Sequence, residues 1–479
     1  MLRSFFKKRP ARTLPPLRLY NTLSGKQETF EPVGSPIKVY NCGPTAYDRQ
    51  HIGNLLPPVV ANVLHRTLEA WGHNVSEVNN ITDFGHISED EASEDKMTKG
   101  MKRERLKPSL ANMRKVADKY ANLFFDDLPL IGVDPKRVKY PFASDYIAEQ
   151  IAVVKTLMQK GYAYQTSDGV YYDVSRFAAY GKLGGIELAG QRAGARVEQN
   201  TEKRGPFDFA LWKLDAKFGW ESPWGKGFPG WHTECVAMIF ALLGRQIDIH
   251  MGGIDLIGTH HNNEIAQAEA ITAKQFVRYW VHNAHITVDG KKISKSLGNT
   301  IFLSQIVDRG LDPRALRYWF MTSHYRTPSN FTWEALEGAD VALGRLKRLY
   351  LELPPSRMPA NEEFLKDFYA AIAEDLNTPR ALARVWDLVR SEDISPAVKK
   401  VSLAEADKIL GLGLGDSGPK ARLTIKNDEL PDGIKELLAA RESARVNKDY
   451  EKSDELRKEI ESAGYDLKDT PSGPTLTKR

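Results

Sequence analysis

Cysteine is scarce in this chain of 479 residues, which contains only Cys42 and Cys235. Two thiols so far apart exclude a disulfide framework of the kind that holds small secreted domains together. No apolar run approaches the ~18 residues that span a bilayer, and the first residues lack the apolar stretch of a secretory signal. We therefore expect a cytoplasmic protein with no membrane partner, whose cysteines serve packing, metal binding or reaction.

The sequence also lacks a charge excess beyond its first residues. The net charge is +5, and residues 1–17 hold five basic residues and no acidic one, so the remaining chain is neutral. Overall charge therefore gives no sign of a polyanionic partner. We predict a basic, disordered arm over residues 1–17, with a targeting peptide or an RNA-contacting tail as the alternatives.

The hydrophobic pattern predicts a parallel α/β sheet that is interrupted by an insertion. The stretches "PIKVYNC" and "NVSEVNNIT" have the pattern of strands, and "NLLPPVVANVLHRTLEAWG" between them has that of a helix. This order forms a β-α-β unit and hence a parallel sheet. The pattern covers residues 18–125, is lost over 126–225 and returns over 226–306. A nucleotide site belongs at the carboxyl ends of such strands.

The chain lacks a Walker motif, but two other motifs are candidates for binding a nucleoside triphosphate. In "HIGN", His51 and Asn54 precede a predicted helix, whose amino-terminal N–H groups and dipole attract phosphate. In "KKISKSLGN", Lys292 and Lys295 lie on a glycine-flanked loop that can close over the phosphates and offset charge as pyrophosphate leaves. Either motif alone is more commonly an ordinary turn.

Both cysteines belong to a candidate metal set. His260 and Glu264 are spaced i, i+4, which places them on one face of a predicted helix. Together with Cys42, at the end of the first predicted strand, and Cys235, on a helix after the insertion, they supply four ligands suited to tetrahedral zinc. The alternative for each cysteine alone is a small buried apolar residue.

The motifs "CGPTAYDRQHIGN", "GWHTEC", "HHNNE" and "KISKSLGN", in this order and spacing, closely resemble those of the class I cysteinyl-tRNA synthetases. The resemblance extends from about Arg18 to Arg479. It implies an α/β fold with a split Rossmann-type catalytic domain (18–125 and 226–306), an inserted connective domain (126–225), a stem-contact region (307–340), a helical bundle on the anticodon side (341–415), and a linker with a C-terminal anticodon-recognition module (416–479).

The resemblance also implies roles for individual residues. Cys42, Cys235, His260 and Glu264 would hold one zinc ion per chain, which binds the thiolate of the substrate. His51 and Asn54 would form the ends of a HIGH-type element, and Lys292 and Lys295 would be the lysines of a KMSKS-type loop, where Ile293 replaces the usual methionine. The segment 84–96 departs from the family pattern, so no roles are carried over to it.

Further residues would surround the amino acid and the nucleotide. By the same matching, Thr82 and Asp255 would hold the polar ends of cysteine, beside Cys42, and Trp231 would form a wall of the pocket. Gly252 and Gly253 would admit the adenosine, with Gly43 also on the ATP side.

The resemblance implies a two-step ligase. L-Cysteine and ATP, with Mg²⁺, would give cysteinyl-adenylate and pyrophosphate, and tRNA(Cys) would then capture the cysteine at its 3′ end. We expect a monomer. One alternative is a related ligase that passes cysteine to the amine of a sugar, although such enzymes lack a C-terminal RNA module. Another is a non-catalytic tRNA-binding paralogue, which the intact lysines and metal ligands disfavour.

Overall fold

The structure is a computed structural model that describes residues 14–85, 96–185, 201–294, 297–416, 424–425, 430–447, 449–470 and 473–478. Its strands are β1 (Arg18–Asn21), β2 (Lys26–Thr29), β3 (Ile37–Asn41), β4 (Val75–Asn79), β5 (Ala163–Thr166), β6 (Gly169–Tyr172), β7 (Phe209–Leu214), β8 (Gly227–Pro229), β9 (Ile247–Gly253), β10 (Val277–Asn283), β11 (Ile286–Val288), β12 (Lys291–Lys292), β13 (Ser329–Phe331), β14 (Thr424–Ile425), β15 (Tyr465–Thr470) and β16 (Gly473–Lys478). Its α-helices are α1 (Ile52–Ala70), α2 (Lys96–Arg103), α3 (Leu110–Leu130), α4 (Ile147–Gln159), α5 (Trp231–Leu242), α6 (Asn262–Thr272), α7 (Leu303–Asp308), α8 (Arg314–Met321), α9 (Trp333–Glu352), α10 (Glu362–Ala373), α11 (Thr378–Arg390), α12 (Pro396–Leu410), α13 (Asp432–Val446) and α14 (Tyr450–Ser462).

The central sheet is parallel, as the β-α-β pattern predicts. Its strand order is β10-β9-β3-β4, so the strands on either side of the insertion pair directly. Helix α1 connects β3 to β4, and because it begins at Ile52, Pro57 and Pro58 lie inside it, past the first turn, where each removes an N–H from the helical ladder. This arrangement brings the carboxyl ends of all four strands to one edge of the sheet.

The inserted region forms a second, antiparallel sheet with the order β5-β6-β7-β8. Strand β8 begins only at Gly227, so the predicted boundary after residue 225 separates this strand from the rest of its sheet. The boundaries predicted after residues 125, 306 and 340 fall inside α3, α7 and α9. These helices therefore continue across the predicted boundaries.

The predicted arm over residues 1–17 is too long at its carboxyl end. Residues 1–13 lie outside the described residues, whereas Leu17 is buried in the main core. Its carbonyl accepts a hydrogen bond from the Phe30 amide at 2.7 Å, and the carbonyl of Pro15 accepts one from the Trp71 indole at 2.8 Å. Apolar contact and backbone pairing therefore make residues 14–17 part of the folded domain.

The C-terminal segment has a small core of its own. Helices α13 and α14 and the hairpin of β15 and β16 bury a separate apolar cluster, which consists of Leu430, Ile434, Leu438, Ile460, Tyr465, Leu467 and Leu476. The helices α9 to α12 belong instead to the main core. No helix in the described part of the chain is long and apolar enough to cross a membrane.

A buried arginine joins α1 to the helical region. Arg317 of α8 is fully buried, and burial lowers its pKa to about 9, which still leaves it charged at neutral pH. Its guanidinium donates to the Leu410 carbonyl at 2.6 Å and to Asn62 Oδ1 on α1 at 2.9 Å. It also donates to the Ile131 carbonyl, at the end of α3, at 3.3 Å. The residue therefore fixes the helix that begins at the candidate phosphate site.

Replacing this arginine should destabilise the protein strongly. Arg317→Met keeps most of the side-chain volume but leaves buried acceptors without a donor, each at a cost of about 1–3 kcal/mol, so we expect a loss of ~3 kcal/mol or more in the free energy of unfolding. Arg317→Lys is the matched control, because it keeps a charge and some donors and should lose less. Urea unfolding measures both. Equal midpoints for Arg317→Met and the unchanged protein would contradict this role.

Candidate active site and metal centre

The four predicted metal ligands converge at the carboxyl edge of the parallel sheet. Cys42 directly follows β3, Cys235 lies on α5 and Glu264 lies in the first turn of α6. His260 is on a single π-helical turn, Ile257–His261, rather than on the predicted helix itself. The ligand atoms of the four residues all lie within 4.8 Å of one another. Three of the residues are buried and Cys42 is half-buried, so the group forms a closed cluster.

The geometry of this cluster fits a metal ion. Cys235 Sγ lies 3.5 Å and Glu264 Oε1 lies 3.0 Å from the same atom, His260 Nε2. Within the described residues no hydrogen bond of acceptable geometry reaches Glu264 Oε1, although this atom is buried. Buried polar atoms are rarely left unbonded. An unbonded carboxylate oxygen that faces two sulfurs and an imidazole nitrogen is an arrangement that a cation would satisfy.

A second set of four residues also has all its ligand atoms within 4.8 Å of one another. It consists of Cys42, His250, His261 and Glu264. Here His250 Nε2 lies 2.9 Å from Glu264 Oε2, the oxygen opposite the unbonded one. Cys42 Sγ lies 3.3 Å from His261 Nε2. The two sets share Cys42 and Glu264 and therefore compete for a single position.

The charges in the cluster are strongly coupled. Burial raises the pKa of Cys42, but a hydrogen bond from the Cys235 thiol and the charge of His260 outweigh burial and bring the pKa to about 6. Burial and the adjacent Cys42 sulfur raise the pKa of Cys235 well above its usual range. Burial lowers the pKa of His260, yet the charges of Cys42 and Glu264 raise it to about 10. The cluster therefore concentrates negative charge that a cation can offset.

Further histidines surround the cluster, among them His250, His261 and His282, none of which was predicted as a member of the site. His261 Nδ1 lies 2.8 Å from His282 Nε2, and His282 Nδ1 lies 2.7 Å from Thr22 Oγ1. Burial lowers the pKa of His261 well below its usual range and that of His282 to about 3, so both are neutral. His250 on β9 and His282 on β10 stand near the carboxyl ends of central strands. That position is the sequence signal that could have indicated them.

The residues predicted to hold the amino acid lie beside the metal set. Thr82 is buried, and its hydroxyl donates to Glu234 Oε1 at 3.1 Å and accepts from Asn80 Nδ2 at 3.2 Å. The indole of Trp231 lies against His260, with ring centroids 4.3 Å apart. Asp255 is exposed on the short turn that follows β9. Glu234 was not singled out from the sequence.

The predicted phosphate motifs contact one another. His51 is the amino-terminal cap of α1, which begins at Ile52 and not after Asn54 as the sequence analysis expected. The amide of Ile52 donates to the Ile301 carbonyl at 2.9 Å. A Cβ built on Gly53 would lie 3.1 Å from Ile293 Cδ1. The lysine loop therefore packs on the HIGN turn through the isoleucine that departs from the family motif.

The residues of the lysine loop are only partly described. Lys292 is exposed on β12, and its carbonyl accepts a hydrogen bond from Asn299 Nδ2 at 3.0 Å. Asn299 Oδ1 accepts from the Ser294 amide at 2.8 Å, which closes the base of the loop. Lys295 lies outside the described residues, as do residues 86–95 of the atypical segment.

The predicted glycines lie where the chain passes close to other atoms. A Cβ on Gly43 would lie 1.6 Å from the Asn80 carbonyl oxygen, so a side chain cannot fit there. A Cβ on Gly252 would lie 2.8 Å from His261 Cε1, and one on Gly253 would lie 2.4 Å from Asp255 Oδ1. These contacts give each glycine a packing reason, and adenosine binding at these positions stays a prediction.

Comparison with known protein families finds two matches along the chain. Residues 29–341 match the catalytic domain of the class I (C) tRNA synthetases. Residues 427–473 match the cysteinyl-tRNA ligase anticodon binding domain. The first match contains the metal set and both phosphate motifs, and the second covers most of the segment with the separate small core.

Individual relatives match over nearly their whole length. Cysteine–tRNA ligase 1 of Burkholderia lata is 42% identical over 469 residues, which are 96% of this chain and 97% of that protein. A cysteine–tRNA ligase of Thermus thermophilus is 41% identical over 481 residues, 96% of this chain and 98% of that protein. The structure of Mycobacterium tuberculosis methionyl-tRNA synthetase in complex with methionyl-adenylate superposes with a TM-score of 0.54 at 12% identity, covering 85% of this chain and 94% of that one, which supports the fold alone.

Proposed function

The chain belongs to the cysteine–tRNA ligase family of the class I tRNA synthetases, and we infer from this that it charges tRNA(Cys) with cysteine at the expense of ATP. The observation that carries this function is the presence of both the catalytic domain and the anticodon-binding domain in one chain. A ligase that transfers cysteine to a small amine has no use for the second domain. Neither that alternative nor a non-catalytic paralogue is supported.

We propose that zinc is held by Cys42, Cys235, His260 and Glu264 rather than by the competing set. The first set uses both thiols, which zinc prefers, and Glu264 Oε1 beside them is buried without a hydrogen bond among the described residues. His250, from the competing set, then serves to orient Glu264 through the other oxygen, as outer residues do around metal ligands. A bound zinc ion would supply a Lewis acid that favours sulfur over oxygen.

The surrounding residues orient the rest of the amino acid in this proposal. Because the Thr82 hydroxyl gives its proton to Glu234 and accepts from Asn80, its remaining capacity is to accept. Thr82 therefore suits the α-ammonium group of cysteine. Asp255 would add a negative charge at the entrance, and Trp231 would exclude water from the side chain.

Phosphate binding in this proposal depends on the ring of His51. Its Nδ1 accepts a hydrogen bond from the Gly53 amide at 3.1 Å, so the neutral ring carries its proton on Nε2. That N–H can donate to a phosphate oxygen at the positive end of α1. Asn54, in the first turn of the same helix, together with Lys292 and Lys295, would hold the remaining phosphate oxygens of Mg²⁺-ATP and offset charge on the departing pyrophosphate.

Two broader expectations accompany the function. The substrates ATP, L-cysteine and tRNA(Cys) meet in the cytoplasm, which is the location that we propose. A monomer also stays a prediction, because the two domains needed for the reaction are present in one chain.

The two steps of the reaction provide the test. Cysteine-dependent exchange of pyrophosphate into ATP measures activation, and charging of a tRNA(Cys) transcript measures transfer. We expect both activities. Exchange without charging of any tRNA would indicate the amine ligase, and tRNA binding without exchange would indicate a non-catalytic protein.

Ending the chain at Asp416 should separate these two steps. The separate core of α13, α14 and the β15–β16 hairpin indicates that the main core folds without this segment. Pyrophosphate exchange should remain within about threefold of the full chain, whereas charging at low tRNA concentration should fall about 100-fold, as expected for ~3 kcal/mol of lost tRNA contacts. A parallel loss in both assays would show that the segment supports the catalytic domain.

A further inference from the structure

One buried hydroxyl group beside the metal set has no assigned use. Tyr40 lies on β3 and is fully buried. Within the described part of the chain, its hydroxyl oxygen has no hydrogen-bond partner of good geometry. Burying an unbonded hydroxyl is costly, and most native hydroxyl groups avoid it. The buried hydroxyl of Tyr40 therefore indicates a hydrogen bond that forms in another state of the protein.

The position of Tyr40 points to the metal set as that partner. Tyr40 precedes Cys42 by two residues, so the alternation of side chains along an extended strand places both on the same side. Its backbone pairs in register with His250 of β9, and the two rings lie 5.1 Å apart between centroids. His250 in turn holds Glu264. The phenol ring is thus packed into the shell of residues around the ligands.

The hydroxyl of Tyr40 can act as a hydrogen-bond donor toward the metal set, since a phenol is protonated at neutral pH. The sulfurs of Cys235 and Cys42 are its charged or polarisable neighbours on this side. A phenol next to thiol groups that carry or gain negative charge can only donate a hydrogen bond to them. Cys235 is the more deeply buried of the two cysteines, so its sulfur has the least access to hydrogen bonds from water.

We propose that Tyr40 is a positioning residue whose hydroxyl donates a hydrogen bond to the Cys235 thiolate when the metal set is loaded. This inference rests on the proposed zinc ligands. Two thiolates and one carboxylate around a divalent cation leave one excess negative charge in a buried site. A charge-assisted hydrogen bond from Tyr40 would stabilise that charge. A thiolate that accepts a hydrogen bond also donates less charge to its metal, which favours capture of a further sulfur ligand.

The test compares Tyr40→Phe with Tyr279→Phe. Tyr279 is a matched control, since it is also buried on the central sheet but donates to the Thr29 carbonyl at 3.0 Å, away from the metal set. Zinc affinity, measured by competition with a chelator, should fall about 10-fold to 100-fold in Tyr40→Phe and stay unchanged in Tyr279→Phe. Thermal unfolding without metal should show the opposite pattern. Tyr279→Phe should melt at a lower temperature than the unchanged protein, whereas Tyr40→Phe should melt no lower.

The cobalt-substituted protein gives a spectroscopic readout of the same bond. Loss of the hydrogen bond raises the energy of the sulfur electrons, so the thiolate-to-cobalt band should move to longer wavelength in Tyr40→Phe. Incorporating 3-fluorotyrosine at position 40 makes the hydroxyl a stronger donor and should move the band the opposite way. A normal band that neither change moves, with unchanged zinc affinity, would overturn the role of Tyr40 alone. A wild-type protein with no thiolate band would overturn the proposed zinc ligands and this inference together.

Discussion

Cysteine-dependent pyrophosphate exchange should fall at least about 100-fold in Cys42→Ser and in His260→Ala, together with the bound zinc. Both residues contribute ligand atoms to the cluster within 4.8 Å. Serine replaces a soft thiolate by a hydroxyl group that zinc hardly deprotonates, and alanine removes a ligand entirely. Exchange kinetics and metal analysis of the purified variants measure the two losses.

The magnitude follows from the selectivity that the enzyme needs. An ordinary pocket separates near-isosteric side chains such as those of cysteine and serine by roughly 100-fold. Protein synthesis needs about 10,000-fold, which corresponds to roughly 5.5 kcal/mol. A chemical difference between sulfur and oxygen at a metal can supply the remainder, so loss of the metal set should remove most of the discrimination.

A neighbouring variant controls for general damage to this region. Thr233 lies on α5 two residues before Cys235, is buried and donates to Gln267 Oε1 at 2.9 Å. Thr233→Val alters a buried polar group of similar size without removing a ligand. It should keep the zinc and most of the exchange activity. If Thr233→Val and Cys42→Ser lose zinc and activity equally, the losses report local unfolding and not ligation.

Adenylate formation should slow about 100-fold to 1000-fold in His51→Asn, while the helix stays folded. Asparagine is a good amino-terminal cap, so it can replace Nδ1 as acceptor for the Gly53 amide. It cannot place a donor where the imidazole Nε2 lies. The variant thus removes the proposed phosphate contact and keeps the local structure. Single-turnover formation of the adenylate measures the rate.

His51→Ala separates the cap from the catalytic contact. It should lose as much activity as His51→Asn and in addition about 1 kcal/mol of stability, since alanine cannot cap α1. Thermal unfolding distinguishes the two variants. A His51→Asn protein with a normal adenylation rate and only a raised Michaelis constant for cysteine would contradict the phosphate role.

The sequence predicted those parts of the site that local pattern determines. The β3-α1-β4 unit follows from alternation and helical periodicity, and that topology places Cys42 at the carboxyl edge of the sheet. His51 and the lysine loop follow from motifs that lie at the ends of predicted elements. The contact of Ile293 with Gly53 agrees with this placement, because it brings the two motifs together.

Other features depend on contacts that are distant in sequence. His261 and His282 meet only because β9 and β10 pair, and a single histidine in a strand gives no sign of its partner. The burial of Leu17 depends on packing against a core far along the chain, and the π-helical turn at His260 has no sequence signature. Tyr40 has the pattern of an ordinary strand residue, and only the structure shows that its buried hydroxyl has no hydrogen-bond partner among the described residues.

The most direct measurement compares cysteine and serine as substrates for pyrophosphate exchange, using the protein with its metal and the same protein after a chelator has removed the metal. We predict about one zinc ion per chain in the active preparation, strong exchange with cysteine and almost none with serine. Removal of zinc should abolish exchange with cysteine, and adding zinc back should restore it. A zinc-free protein that still activates cysteine and rejects serine would contradict the proposal that the metal set selects the thiol.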